Sequence, residues 1–172
     1  MTTTAQTWLM MNNAKLETKS LPQVTKAIEA LDESKSGALM GAPMKSPIAG
    51  LLLTLFLGQL GVGRFYAGSI VRGIFCLLLW GLGILIISAS VNDQGQTVGM
   101  FVVGTAGWMT LLDLFCIMGE IKRQNAKNLF AVLGGTIEPG LQKRMREHMI
   151  MYWAMLAAPA VMGAVFNFIF MG

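Results

Sequence analysis

Two charged residues sit where charge is expensive. Arg64 lies in the stretch Gly61–Gly68, GVGRFYAG, between two apolar segments. Asp113 lies in Trp108–Ile117, WMTLLDLFCI, inside a long apolar run. An aspartate in such a run normally finds a partner, and the chain offers Arg64 and, less favourably, Arg72. A pair of this kind either holds a fold together or serves as a proton or ion relay; an aspartate near an interface could also simply face water. Gly61, Gly63 and Gly68 allow a tight turn with unusual dihedrals. Phe65 and Tyr66 are expected at headgroup level, and Arg64 can snorkel or pair internally.

Other chemistry is poorly supplied. His148 is the single histidine, and no Ser or Cys lies beside it as a nucleophile. Cys76 and Cys116 both fall in apolar runs and read as small packing residues. One His and two distant Cys make no zinc set. Met145, Met149, Met151 and Met155 flank His148, and soft thioethers suit Cu(I), but adaptable packing is the expected role of these methionines. The glycine-rich stretch lacks the Lys and the strand–loop–helix context of a phosphate loop. No catalytic residue, cofactor or metal is expected, and an enzyme is not expected.

The elements that position Arg64 and Asp113 follow from composition. The 172 residues are 54% hydrophobic and 13% charged, against about 25% charged in soluble domains. From Ile48 to Met118 the only charges are Arg64, Arg72, Asp93 and Asp113, and from Met149 to Gly172 there are none. Runs of this kind read as membrane spans. Full-length segments are 70–91, 98–118 and 149–171, while 48–62 is short for a span of about 20 residues and ends in glycines. The fold class is therefore an all-α, polytopic helical membrane protein with three full-length spans and a short N-terminal apolar segment. The last segment, with Ala154, Ala158, Gly163 and Ala164, offers small faces for helix packing; Pro159 is a candidate kink and Asn167 a candidate interhelical hydrogen bond.

Outside the spans, residues 1–13 are polar and expected to fray. Residues 20–34 read as an amphipathic helix with Leu21, Val24, Ile28 and Leu31 on one face, Ser20 as N-cap and Pro22 in the first turn. That helix either folds back on the protein, rests at the membrane interface or docks a partner. Residues 36–47 read as a linker and 92–97 as a polar turn. No secretory signal peptide is visible. The basic residues flank apolar runs and form no aromatic-interleaved stripe, so nucleic acid is not an expected partner.

Charge also bears on topology. The connection 119–148 carries Lys122, Arg123, Lys127, Lys143, Arg144 and Arg146, candidate contacts for anionic lipid or a partner. Residues 1–45 carry five Lys, with Lys35 and Lys45 nearest the first apolar segment, and the 92–97 turn has no Lys or Arg. The positive-inside rule puts arm and connection on the cytoplasmic side, which requires an even number of crossings between them. Three apolar segments intervene. Either 48–62 dips in and returns, the preferred reading, or the basic connection lies outside against the rule.

A resemblance emerges from these residues. The pattern KSPIAGLLLTLFLG at 45–58, GVGRFYAG at 61–68, GIFCLLL at 73–79, Trp108, LLDLF at 111–115 and Asn125 resembles the TM-two domain family of small membrane proteins. Here Gly63 stands where the family often has His or Asp, and Ala67 where it often has Leu. The stretch between Gly73 and Trp108 is longer than in the shortest members. The resemblance implies a motif of Gly61, Gly63, Arg64, Phe65, Tyr66, Gly68 and Asp113 in a membrane domain over 45–125. It also implies a bacterial cytoplasmic membrane as the expected location, and it leaves the biochemical role open. The division is then an arm (1–44), that domain, a basic connection (126–148) and an extra helix (149–172). The expected role is a structural or interaction component with membrane lipid and a protein partner or second copy as its contacts. The other reading is an oligomeric transport or channel component using Arg64 and Asp113.

Overall fold

A computed structural model describes residues 3–31, 36–134 and 139–170, with side-chain surroundings described as far as residue 157. All regular elements among the described residues are helical. They are α1 (Thr3–Asn12), α2 (Leu21–Glu29), α3 (Ser36–Met40), α4 (Pro47–Leu57), α5 (Val62–Ala67), α6 (Ile70–Ala89), α7 (Asp93–Val132) and α8 (Pro139–Phe170), with short 3₁₀ turns between some of them.

The longest helix organises the rest. Along α7, Met109, Asp113, Ile117, Ile121, Asn125 and Leu129 are all buried. They recur every four residues, so they lie on one slowly drifting face of a single helix. That spacing crosses the boundary expected near residue 118. The apolar segment 98–118 and the first part of the polar connection are therefore one element, because the stripe continues while the opposite face becomes charged. The helix also starts inside the expected 92–97 turn. Asn92 caps it, its side chain accepting the Gly95 N–H at 2.9 Å. The connection 119–148 is largely helical, made of the end of α7 and the start of α8.

α6 runs antiparallel to α7. Their backbones approach closely at glycines, Gly83 against Val103 and Gly99 against Ile87. These two helices are long and apolar enough to cross a membrane. Only 17% and 22% of their most apolar windows are buried, which argues against the core helices of a soluble domain. Phe115, for instance, is 87% exposed. The count is thus two such helices among the described residues, not the three expected. The third expected segment, 149–171, continues α8, and most of its side chains lie outside the described residues, including Ala158, Pro159, Gly163, Ala164 and Asn167.

The short apolar segment ends early. α4 has 11 residues, about 16 Å at 1.5 Å per residue, roughly half of a 30 Å hydrocarbon core. Ser46 caps it and Pro47 occupies its first turn. The chain then turns through Gly58–Gly61, and α5 comes back along α4. The two ends of this hairpin meet where the Ser46 N–H donates to the Tyr66 hydroxyl at 2.8 Å. Its tip reaches partway along α6, where Cys76 Sγ sits 3.5 Å from the Gln59 carbonyl and Trp80 Nε1 donates to Gln59 Oε1 at 3.1 Å.

The arm is not frayed over 3–13. α1 carries Ala5 and Trp8 into a core with Leu16, Val24, Ile28 and Leu39, closed by Ala126, Leu129 and Phe130 of α7 and Leu141 of α8. Helix 20–34 is present as α2 over Leu21–Glu29, with residues 32–35 outside the described ones, and its apolar face folds back on the protein. Ser20 makes no capping bond; its hydroxyl donates to Glu17. The expected linker 36–47 contains α3, anchored by buried Leu39. Asn125, fully buried, fastens the arm. Its Oδ1 accepts the Lys45 N–H at 3.0 Å, and its Nδ2 donates to the carbonyls of Lys45 and Lys15 at 2.8 and 2.9 Å.

Candidate functional site

The α4–α5 hairpin holds Arg64 in place. Gly61 and Gly68 bracket α5 with φ of 72° and 90°, the left-handed region that glycine enters without steric cost. Gly63 lies on the α5 face that meets Thr54 of α4, and a Cβ there would run into the Thr54 hydroxyl. The position where the resembled family often carries His or Asp is thus where the two helices touch.

Arg64 then projects into the protein, where its Nε and Nη2 engage the two carboxylate oxygens of Asp113. The side chains are 2% and 3% exposed. A forked guanidinium–carboxylate pair of this kind lets each charge compensate the other in low dielectric. The buried ring of Tyr152, from α8, covers the guanidinium with its centroid 4.3 Å from Cζ. Three elements far apart in sequence therefore converge on one charge pair.

A second pair lies two turns further along α7. Arg72 donates to Glu120 and, at 2.6 Å, to Ser69, whose hydroxyl also donates to Glu120. Asp113 and Glu120 are seven residues apart on α7 and share a face. That spacing was a readable signal, and it assigns Arg72 to Glu120, a residue the sequence reading left unused. A third cluster joins the arm to the long helices. Arg144 donates to Glu17 Oε2 at 3.0–3.1 Å, and Arg123 Nη1 lies 3.9 Å from Glu17 Oε1. Burial, and then the Arg123 guanidinium, hold the His148 imidazolium below its ordinary range, which keeps that ring neutral near pH 7.

The remaining motif residues make contacts within the protein, with Phe65 and Tyr66 both half-buried. Phe65 packs its ring on Gly73, which a Cβ would meet at 2.8 Å. Tyr66 receives the Ser46 N–H, and Lys45 Nζ lies 5.8 Å over its ring. The six basic residues of the connection divide. Arg123 and Arg144 reach Glu17; Lys143 lies 3.7 Å from Glu147 on the exposed face of α8. Lys127 and Arg146 line a pocket of about 700 Å³ together with Arg72 and Arg123, while Lys122 lies outside that lining. Cys76 and Cys116 are free thiols.

Residues 43–91 match the family model of the TM2 domain. The matched stretch runs from the loop before α4 to just past α6, and so contains the hairpin, Arg64 and Arg72. α7, with Asp113, lies beyond it. No curated protein and no solved structure matches the chain. The TM2 match and two exposed apolar helices together point to a small membrane protein.

Proposed function

We propose that this chain is a non-enzymatic integral membrane protein that acts as a structural or interaction component of a membrane assembly. The observation that carries the reading is the enclosure of Arg64 and Asp113. Each neutralises the other, both are almost wholly buried, and Tyr152 closes the site. A pair used that way cross-links the α4–α5 hairpin to α7. This favours a structural role over the oligomeric transport reading, in which the same residues would line a pathway.

The proposed membrane arrangement has α6 and α7 crossing, α4–α5 entering and returning, and residues 149–171 forming a further span. The contacts of Asn125 with Lys15 and Lys45, and of Arg144 with Glu17, support an arm and a 119–148 connection on one face. That removes the parity conflict, because a returning hairpin adds no crossing. The positive-inside rule makes this face cytoplasmic. The membrane proposed is the cytoplasmic membrane of a bacterium, on the family resemblance. The arm, the membrane domain, the basic connection and the C-terminal helix are proposed as its parts.

Affinity purification of the full chain from native membranes, with native size in mild detergent and an ion-flux assay in liposomes, tests the proposal. It expects a stoichiometric partner or a defined homo-oligomer, without flux. Flux that is abolished by Asp113→Asn in a folded variant would establish the transport reading instead.

A further inference from the structure

The pocket between α6, α7 and α8 is built unlike the rest of the surface. Arg72, Arg123, Lys127 and Arg146 line it against a single acidic residue, Glu120. Lys127 and Arg146 have no acidic partner among the described residues. Arg72 Nη1, Arg123 Nη2 and His148 Nε2 are buried and make no hydrogen bond among the described residues, and all three residues line this pocket. Buried polar atoms are normally paired, and three of the six unpaired buried side-chain atoms among the described residues belong to residues that line this one cavity, beside the cations Lys127 and Arg146 that no acidic group there neutralises. The α6 N-terminus adds to this. Ile70 and Val71 line the pocket, and Ser69 makes no capping bond to the first-turn N–H groups. Helix N-termini favour anions.

The other wall is apolar. Ile70, Val71, Met149 and Trp153 line it and are exposed. Ile70 and Val71 open the apolar helix α6, and Met149 and Trp153 lie on α8 as it enters the uncharged run. The pocket thus joins a cationic, donor-rich end to an apolar flank that continues along the helices. A free phosphate would satisfy the first part and make no use of the second. A zwitterionic headgroup would bring a positively charged ammonium group toward four cations.

We propose that this pocket binds the phosphate headgroup of an anionic phospholipid, with an acyl chain lying along Ile70, Val71, Met149 and Trp153. The inference rests on the membrane placement above and deepens it, since it makes the basic connection a specific lipid site and not a diffuse surface charge. Arg123 and Lys127 from α7 and Arg146 from α8 supply the charge, and His148 lines the same end.

The test uses the full chain purified in neutral micelles and titrated with short-chain phosphatidylglycerol, short-chain phosphatidylcholine and inorganic phosphate. Saturable binding of phosphatidylglycerol is expected, with phosphatidylcholine and phosphate at least tenfold weaker. The double substitution Arg123→Gln, Lys127→Gln should weaken phosphatidylglycerol binding on the order of tenfold or more. Lys122→Gln, which removes a cation from the same helix outside the pocket, should leave it unchanged. Arg123 also approaches Glu17, so Arg146→Gln, at an exposed position, provides a second variant that does not depend on that contact, with an expected loss of several-fold. Equal binding of both lipids, equal binding of phosphate, or equal loss in Lys122→Gln overturns the proposal. Carbonate washing of native membranes separates the two claims: a chain that washes off refutes the membrane placement, whereas a chain that stays but does not discriminate refutes only the lipid site.

Discussion

Replacing Arg64 by Gln leaves Asp113 charged, 3% exposed and without its forked partner. Removing one member of a buried ion pair costs about 3–5 kcal/mol, because the remaining charge stays desolvated and uncompensated. The loss of the Arg64–Tyr152 contact adds to this, since a desolvated cation–π contact contributes about 2 kcal/mol. Total stabilities are only about 5–15 kcal/mol, so a single substitution removes a large share. At roughly 2–4 °C per kcal/mol for a chain of this size, the unfolding temperature should fall on the order of 10 °C. Asp113→Asn should cost a similar amount. The combined Arg64→Met, Asp113→Leu variant removes both charges and replaces them with apolar groups of similar bulk. It should recover most of the loss, because buried pairs replaced by packed apolar residues are often neutral. The assay is heating of detergent-solubilised protein followed by size-exclusion chromatography of the folded fraction. Single variants that melt within about 2 °C of the parent, or a double variant as damaged as the sum of the singles, would refute a structural pair.

Two further predictions concern the elements that present Arg64. Gly63→Ala forces a methyl group against Thr54 and should destabilise by about 1–3 kcal/mol; Thr54→Ala in the same chain should restore part of this by removing the hydroxyl it meets, measured by the same thermal assay. Asn125→Ala leaves the Lys45 N–H and the carbonyls of Lys15 and Lys45 without their buried partner. The arm should then detach locally, read as faster trypsin cleavage near Lys15 and Lys45 with the α6–α7 region still protected. Unchanged cleavage would mean that the apolar contacts of Trp8, Leu16 and Leu39 hold the arm without Asn125.

Much of the architecture was legible because burial leaves a trace in residue pattern. The apolar run of α6, interrupted only by Arg72 near its start, and the spacing of Leu21, Val24 and Ile28 in α2 translate directly into helices. The glycines of the GVGRFYAG motif mark the turn that returns α5 along α4. Arg64 and Asp113 were conspicuous because their surroundings are apolar. What escaped was continuity and partnership. The break expected at residue 118 came from a change in overall polarity, while the buried stripe Ile117, Ile121, Asn125 and Leu129 runs across it. The order of α1 depends on Ala5 and Trp8 joining a core shared with α2, α3, α7 and α8, which local composition does not encode. Tyr152 could not be placed over Arg64 from sequence, since nothing local links α8 to α5. Glu120 could have been found from its heptad distance to Asp113.

The account depends most on the α4–α5 hairpin returning to the face it left. In a background with Cys76→Ala and Cys116→Ala, single cysteines at the exposed positions Lys26, Gln96 and Lys143 can be labelled in sealed vesicles with a membrane-impermeant thiol reagent. The account predicts that Lys26→Cys and Lys143→Cys label from the same side and Gln96→Cys from the other. Labelling of Lys26→Cys and Lys143→Cys from opposite sides would contradict it.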